Sequence, residues 1–511
     1  MLNKFYKIEQ TRTIFVLKGV IVGLISGFLV SIFRLAIEKM TEYVQGFYVF
    51  SQSKPLWLIL WAVISVIIAI FVGYLIKGQP HISGSGIPQV EGMLEEEVHY
   101  PWFPVLWRKF VGGILSVGTG LFLGREGPSI QLGASVGQGL SNMYHSPKYE
   151  QKILISSGAS AGLAAAFNAP IAAVLFIVEE IHHTFSPLIW LTSLVSAIIA
   201  NFISLYIFGL QPVLYLGHMQ DLSLKYYGLL LILGVILGAL GRLYQKNLLD
   251  LPKWFNKLPI PTPFYGIVPL LLVIPIGFYL PQLLGGGNQI ILSLEENHFP
   301  LLLLLFLFLL RYIFSMISYG SNLPGGIFLP ILSLGAILGA FFGEFSITYL
   351  GVEEYYLKNF IIISMTGYFT AIGKAPLTAI ILVTEMVGSI NHLMPLGFVS
   401  LIAYIVVDLL GGHPIYESLL DRLVSHKKVV NTGEKTTIEY PVTAESVLDG
   451  YAVRDFSWPK NTLLVAIRRE QEDIIPHGDT ILQMGDMLII LTDSQHAALV
   501  KKELRKKTLI K

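Results

Sequence analysis

The chain has 511 residues, of which 53 % are hydrophobic and only 14 % are charged, with a formal net charge of +1 and no cysteine. Soluble domains carry a charged share of about 25 %, so this composition favours a protein that lies in a lipid bilayer. The small net charge gives no indication of a nucleic-acid partner, and the lack of cysteine excludes disulfides, thiol nucleophiles and thiolate metal ligands.

The N-terminal segment, 1–18, is basic, with four Lys or Arg residues against the single acid Glu9. It lacks a short apolar core followed by a small-residue cleavage site, so it does not resemble a removable signal peptide. The positive-inside rule places this end of the chain in the cytoplasm.

Long apolar segments follow along most of the chain. The runs 55–76 and 185–217 carry no charge, and each exceeds the roughly 20 helical residues that cross a hydrocarbon core. We therefore predict an all-α polytopic membrane protein of the cell membrane. Further apolar segments lie at 13–36, 107–123, 223–240, 264–283, 299–318, 329–350, 358–372 and 392–410.

The composition changes near Lys427, where a polar segment replaces the last apolar helix. Beyond it, two β-like runs at 461–470 and 486–493 are separated by Gly-containing turns, and 494–506 has the pattern of a basic helix. The sequence predicts three parts, the last of them a small α/β cytoplasmic domain: a membrane domain at 1–426, a linker at 427–435 and the α/β domain at 436–511.

Two pairs of segments repeat across the membrane domain. "NAPIAAVLFIVEE" (168–180) aligns with "KAPLTAIILVTEM" (374–386), and "GREGPSIQLGA" (124–134) aligns with "GIFLPILSLGA" (326–336). Because both pairs keep nearly the same separation, we predict two inverted-topology repeats with broken helices, an arrangement common in transporters.

Glycine-rich loops followed by a proline begin helices at matching places in the two halves, and "SGSGIPQV" (83–90) is a third loop of this kind. Helix N-termini present unpaired N–H groups and a partial positive charge, which suit an anion. The pattern predicts an anion site built from several helix N-termini.

These loops resemble the CLC family of chloride channels and proton-coupled chloride transporters. The resemblance rests on "GSGIP" (84–88), "GREGP" (124–128), "GGIFLP" (325–330) and "GGHPIYESLL" (411–420), in that order, and covers about residues 15–425. It implies a homodimer that transports chloride and protons. The loop residues that it implies support the site are Gly84, Gly86, Pro88, Gly124, Arg125, Gly127, Pro128, Gly325, Gly326 and Pro330.

The resemblance also implies the ligands of a central chloride. Ser85 and Tyr416 would donate their hydroxyls, and the backbone N–H groups of Ile327 and Phe328 would complete the shell. Donors without a full countercharge allow a permeating ion to bind and still leave. The alternatives are a helix cap for Ser85 and an interfacial aromatic for Tyr416. In the family, serine at the Ser85 position accompanies chloride and proline accompanies nitrate.

Glu126 resembles the gating glutamate of the family. Ionised, its carboxylate would occupy the position that chloride takes at the helix N-termini, and protonated, it would swing away and admit chloride. The alternative is a structural salt bridge between Glu126 and Arg125, although adjacent residues at a helix start rarely face each other.

Glu180 resembles the internal proton-transfer glutamate, where passive channels of the family commonly have an apolar residue. Glu179 is the other candidate, but its repeat partner is Glu385, which suggests a structural task shared by both halves. A further alternative is that Glu180 is a solvated charge at a helix end. The favoured hypothesis is that the protein is a chloride/proton antiporter, and the alternative is a passive voltage- or pH-gated chloride channel.

The C-terminal pattern "PHGDTILQMGDML" (476–488) resembles the TrkA C-terminal domain, also called RCK-C. This implies a dimeric regulatory module for which a cyclic dinucleotide is one ligand type; the alternative is an assembly domain without a ligand. A role in potassium transport is a further alternative, which only this C-terminal pattern suggests. We expect no metal, since "EEIHH" (179–183) lacks the order of a metal motif. The sequence also shows no nucleophile–base pair, so we expect no enzyme activity, and we expect no cofactor.

Overall fold

The computed structural model describes residues 2–182, 185–217, 219–296, 298–425, 435–442, 446–469 and 472–493, with 500, 503–504 and 507–508. The chain forms two compact units, Met1–Leu423 and Val424–Lys511. The predicted linker lies outside the described residues except for Lys435, and most of the predicted helix at 494–506 also lies outside them.

Helices make up the first unit within the described residues. The helix Pro170–Phe176 continues into a π-helical segment, Ile177–His182. In chain order the helices are α1 Leu2–Ser53, α2 Trp57–Gly78, α3 Ile87–Leu94, α4 Trp102–Gly118, α5 Glu126–Met143, α6 Lys148–Phe167, α7 Pro170–Phe176, α8 Pro187–Phe208, α9 Tyr227–Phe255, α10 Ile267–Tyr279, α11 Asn288–Glu296, α12 Leu301–Gly320, α13 Phe328–Leu350, α14 Leu357–Gly373, α15 Pro376–Val387, α16 Leu393–Leu409 and α17 Ile415–Ser425.

Seven helical segments among the described residues are long and apolar enough to cross a membrane, which confirms the polytopic prediction. They are Thr13–Ser53, Trp57–Gly78, Pro187–Phe208, Leu224–Phe255, Thr262–Tyr279, Leu301–Gly320 and Phe328–Leu350.

The apolar pattern missed two central helices, α5 and α6. Both are rich in Gly, Ala and Ser rather than in large apolar residues, and they are almost entirely buried inside the unit. They pack closely because Gly133 and Gly158 face each other, and a Cβ on either would collide with the backbone carbonyl of the other. Small residues allow such close approach of helices in membranes. They also make a segment less hydrophobic, and the prediction of apolar segments depended on high hydrophobicity.

The predicted inverted repeats are visible at the centre of the first unit. Gly124 and Gly326, which are equivalent in the two halves, form an antiparallel bridge whose two N–H···O bonds are each 2.7 Å. Antiparallel pairing of equivalent residues is what a twofold relation between halves of opposite direction produces.

A second pair of equivalent contacts relates the two halves. The carboxylate of Glu179 accepts hydrogen bonds from the N–H groups of Leu377 and Thr378 at 3.1 and 2.7 Å, at the start of α15. Glu385 accepts the equivalent bonds at the start of α7, from Ile171 and Ala172, at 3.1 and 2.8 Å. The structural task predicted for these two acids is confirmed.

The second unit contains a four-stranded antiparallel sheet in the order β1-β4-β2-β3. Its strands are β1 Lys435–Pro441, β2 Leu463–Arg469, β3 Glu472–Ile474 and β4 Met487–Asp493. The sequence predicted β2 and β4. It missed the two edge strands, since β1 is polar and begins in the predicted linker, and β3 has only three residues. The core includes Ile438, Leu448, Ile467, Leu488 and Ile490.

Candidate anion site

The three predicted glycine loops meet in the middle of the first unit, where α3, α5 and α13 begin. The residues that precede these helices are Gly86, Arg125 and Ile327. Besides the Gly124–Gly326 bridge, the N–H of Gly325 donates to the carbonyl of Gly84 at 3.0 Å. Three helix N-termini therefore point their free N–H groups and partial positive charges into one region.

Ser85 lies in the first of these loops between two glycines with positive φ, and it is only 2 % exposed. Gly127 packs directly on it, and a Cβ at Gly127 would approach the Ser85 carbonyl oxygen to 2.7 Å. The residue before α3 is Gly86, without a side-chain cap bond, so the capping alternative is wrong. Within the described residues the Ser85 hydroxyl has no hydrogen-bond partner.

Tyr416, near the start of α17, is 1 % exposed, which contradicts the alternative of an interfacial aromatic. Its ring packs edge-on against Phe176, with ring centroids 6.0 Å apart, and Phe176 in turn contacts the ring of Phe328 at 6.0 Å. Its hydroxyl has no hydrogen-bond partner in the part of the chain that the structure describes. The phenol lies within electrostatic range of both Glu126 and Glu180.

Glu126 is the first residue of α5 and is completely buried. Its carboxylate lies beside Gly124, where a Cβ would collide with Oε2, and the backbone N–H of Leu329 in the first turn of α13 faces it. Neither carboxylate oxygen has a hydrogen-bond partner of ordinary geometry among the described residues. The structure thus holds an acidic side chain where two helix N-termini converge.

Arg125 does not pair with Glu126, so that alternative is wrong. Its guanidinium donates instead to Glu38 on α1 at 2.6 Å, and the same oxygen accepts a bond from Arg34 at 3.1 Å. No local pattern pointed to Glu38, because its partner Arg125 lies 87 residues away along the chain. This pairing leaves the Glu126 carboxylate without a dedicated cation.

Glu180 lies on the π-helical segment and is 3 % exposed. Its burial contradicts the alternative of a solvated charge at a helix end, and its Oε1 has no partner among the described residues. The neighbouring Glu179 is occupied at the start of α15, as described above. The two adjacent acids therefore have separate surroundings, and Glu180 is the one that faces the interior.

Lys109 on α4 is a site residue that the sequence analysis missed. It is fully buried, and its ammonium donates to the carbonyl oxygens of Ile82 and Gly84 at 2.9 and 2.8 Å. It thereby fixes the loop that carries Ser85, and when protonated it adds positive charge beside that loop. An ionisable residue inside an apolar segment was the available signal.

No group of three or more His, Cys, Asp or Glu residues that could hold a metal occurs in the described ranges. In the "EEIHH" segment, His182 is hydrogen-bonded to Ser156 at 2.7 Å, and His183 lies outside the described residues.

The arrangement can hold an anion by N–H and hydroxyl donors and can also place a carboxylate among the same donors. Buried polar groups are almost always hydrogen-bonded, so unpartnered donors at Ser85 and Tyr416 indicate a place for an acceptor. Neither donor brings a full charge, which suits an ion that must be released.

Comparison with known proteins gives two family matches. Residues 67–408 match the family described as voltage gated chloride channel, and residues 437–505 match the TrkA-C domain.

Individual relatives are similar over most of the chain. The H(+)/Cl(-) exchange transporter ClcA of Vibrio parahaemolyticus is 34 % identical over 446 residues, which cover 84 % of this chain and 94 % of that protein. A slow cyanobacterial Cl-/H+ antiporter of known structure is 32 % identical, with a TM-score of 0.77, covering 81 % of this chain and 98 % of that chain. A eukaryotic CLC transporter, 19 % identical, has a TM-score of 0.69 over 88 % of this chain and 80 % of its own and shares the fold.

Proposed function

The chain belongs to the voltage-gated chloride channel family, and from that premise we propose that it exchanges chloride for protons across the cell membrane. The similar proteins whose names state an activity include a chloride/proton exchange transporter and a Cl-/H+ antiporter. Glu126 is the gate in this proposal, and Glu180 carries protons on the opposite side of the anion site.

One observation carries the proposal: the buried Glu126 carboxylate, unpartnered among the described residues, lies where α5 and α13 begin. A helix N-terminus stabilises a negative charge whether it belongs to chloride or to a side chain. The ionised carboxylate and chloride therefore compete for the same donors. Protonation removes the charge of Glu126, so the side chain leaves and chloride enters, which links the movement of one ion to the other.

Chloride in the central position would be held by the hydroxyls of Ser85 and Tyr416 and by the N–H groups of Ile327 and Phe328. The Lys109 side chain donates to the carbonyl of Gly84, the residue next to Ser85, and when protonated it adds favourable potential for the ion. A buried charge at short range acts strongly because water screens it poorly.

Protons reach Glu126 from the other side through Glu180 in this proposal. Tyr416 lies within electrostatic range of both acids, which supports a position of Glu180 near the anion site. Its burial keeps the proton on a route separate from bulk water, and an ionisable residue inside a membrane protein commonly marks such a relay.

The test is simultaneous recording of chloride and proton movement with purified protein in liposomes. An outward chloride gradient, applied with the same pH on both sides, should drive protons into the liposomes and so build up a proton gradient. A protonophore should abolish this pH change. Chloride flux with no coupled proton movement would contradict antiport and leave the passive channel.

We further propose that the protein is a homodimer, with the N-terminus and the 436–511 unit in the cytoplasm, and that this unit regulates transport. Large apolar side chains are exposed on it, including Leu463, Ile475 and Met484. Pairing of two such units would cover them, and a cyclic dinucleotide bound there would act through its different affinity for two states of the pair.

Deletion of residues 436–511 tests the regulatory role. The truncated protein should remain a transporting dimer, and any response of flux to added cyclic dinucleotide should be lost. If the full-length protein neither binds nor responds to cyclic dinucleotides, the unit serves assembly and the regulatory proposal is wrong.

A further inference from the structure

We propose that Glu91 on α3 is a second proton carrier of the transport cycle, positioned to pass protons between Glu417 and Glu180. The inference rests on the proposed antiport and adds a residue to its proton route. Nothing in the glycine loops or the repeats pointed to Glu91, which lies four residues into the helix that begins after Ser85.

The environment of Glu91 is unusual for an acid. It is 1 % exposed, and its Oε2 has no hydrogen-bond partner within the described part of the chain. Burial without a partner strongly disfavours the ionised form of a carboxyl group. Such a group is stable when it holds a proton, and it can release the proton only to a nearby acceptor.

The nearest charges provide that acceptor. Helix α3 packs against the π-helical segment that carries Glu180, and the carboxylates of Glu180 and Glu417 both act on Glu91 electrostatically, as do Glu95 and Glu97 at the end of its own helix. Glu417 also acts on Glu180. Carboxylates that raise one another's electrostatic energy in this way are not readily all ionised at once, so protons are shared among them.

The three acids differ in their access to solvent. Glu417, next to Tyr416 on α17, is half-buried, whereas Glu91 and Glu180 are both buried. A proton taken up by Glu417 can pass to ionised Glu91, which becomes neutral as Glu417 regains its charge. Glu91 can then transfer the same proton to ionised Glu180. Each step moves one proton between oxygens and needs no other reactant.

A structural acid looks different in this protein. Glu179 and Glu385 each accept two backbone hydrogen bonds at helix starts, and each thus has a fixed structural contact. Glu91 has an unpartnered oxygen among the described residues and faces further acids, which destabilises the fold unless a proton is present. Two buried acids on elements in contact, each with an unpartnered oxygen among the described residues, favour exchange of a proton over a role in stability.

The experiment compares wild type, Glu91→Gln and Glu91→Asp in liposomes with simultaneous chloride and proton recording. Glu91→Gln should lower proton flux at least fivefold with chloride flux within twofold, which raises the chloride-to-proton ratio. Glu91→Asp should restore the ratio at least in part. The matched control is Glu96→Gln, which removes an acid just beyond the same helix that pairs with Lys148 and Lys152 and should leave the ratio unchanged.

If Glu91→Gln does not yield folded protein, Glu91→Met provides the same test, since an apolar side chain of similar length suits the buried position. An unchanged ratio in either folded variant would overturn the proposal. Equal loss of both fluxes in the Gln, Met and Asp variants would also overturn it, because that is the result of a structural role. Failure of antiport itself is distinguishable, since wild type would then move no protons.

Discussion

Each unit of the chain buries acids, and their surroundings differ between the two. In the second unit, the Asp486 side chain is completely buried, and both its oxygens accept bonds from Arg469 at 2.8 Å, with a further bond from the Gln483 N–H at 2.8 Å. In the first unit, Glu126 and Glu180 are buried as deeply, but oxygens of both have no partner among the described residues.

The difference separates acids that hold the fold together from acids that change state. Burial by itself raises the pKa of Asp486, but the Arg469 guanidinium and the Gln483 N–H outweigh it and the pKa is lowered. Asp486 is therefore fixed as a carboxylate. An acid without such partners has no protonation state that the fold has fixed, and groups of this kind cluster at functional sites.

Apart from substitutions of Glu126 itself, the largest effect is expected from Glu180→Gln. Loss of the titratable oxygen should reduce proton flux by about 10²-fold, the scale of a lost proton-transfer group, while chloride flux continues. The matched control is the adjacent Glu179→Gln, which removes a structural acid. The control should keep the chloride-to-proton ratio and instead lower the thermal stability of the detergent-solubilised protein, by about 1.5–3 kcal/mol. Equal ratios in both variants would remove the distinction between the two acids.

Asp486→Asn tests the acid whose oxygens have hydrogen-bond partners. The substitution removes the charge to which Arg469 and the Gln483 N–H donate, and it should destabilise the second unit by about 1.5–3 kcal/mol. Proteolysis of that unit in the full-length protein measures the change. Because the pKa is lowered in the folded state, the stabilisation is complete above the ordinary aspartate pKa of about 3.9. It should be lost as the pH falls below that value toward the folded pKa. Stability that does not depend on pH in this window would contradict the assignment.

Lys109→Met tests whether the fixed charge beside the Ser85 loop supports anion binding. The variant loses the ammonium that holds the Ile82 and Gly84 carbonyls, and chloride affinity by calorimetry should fall about tenfold, which corresponds to ~1.4 kcal/mol. Lys148→Met, which removes an exposed ammonium, is the control and should bind chloride as the wild type does. Unchanged affinity in Lys109→Met would mean that its role is confined to loop structure.

The smallest effect is expected from Ser85→Pro. The substitution removes an unpartnered hydroxyl donor and the backbone N–H, so the ratio of nitrate to chloride flux should rise a few-fold. Ser129→Ala is the control, since that buried hydroxyl already donates to the Arg125 carbonyl at 2.9 Å. A flux ratio that does not change in Ser85→Pro would place Ser85 outside the anion path.

The sequence predicted the inverted repeats and the meeting of the glycine loops because both are local patterns: the glycines, the prolines and the spacing of the two halves. It could not predict the partner of Arg125, which is Glu38 on a distant helix. The sequence also could not predict that Glu180 and Glu91 are buried, because burial depends on how α3, α17 and the π-helical segment pack. The apolar pattern did not show the small-residue helices α5 and α6, since their position inside the unit does not require large apolar residues. The start of α5 was predicted only from its glycine loop and proline.

The central claim is that the Glu126 carboxylate and chloride compete for the same donors, and one measurement tests it directly: simultaneous chloride and proton recording on Glu126→Gln beside wild type. Glutamine keeps the shape of the side chain and removes its charge and its proton. We expect chloride flux to persist in the variant while chloride-driven proton uptake falls to that of protein-free liposomes. Proton uptake that continues in Glu126→Gln would contradict the claim.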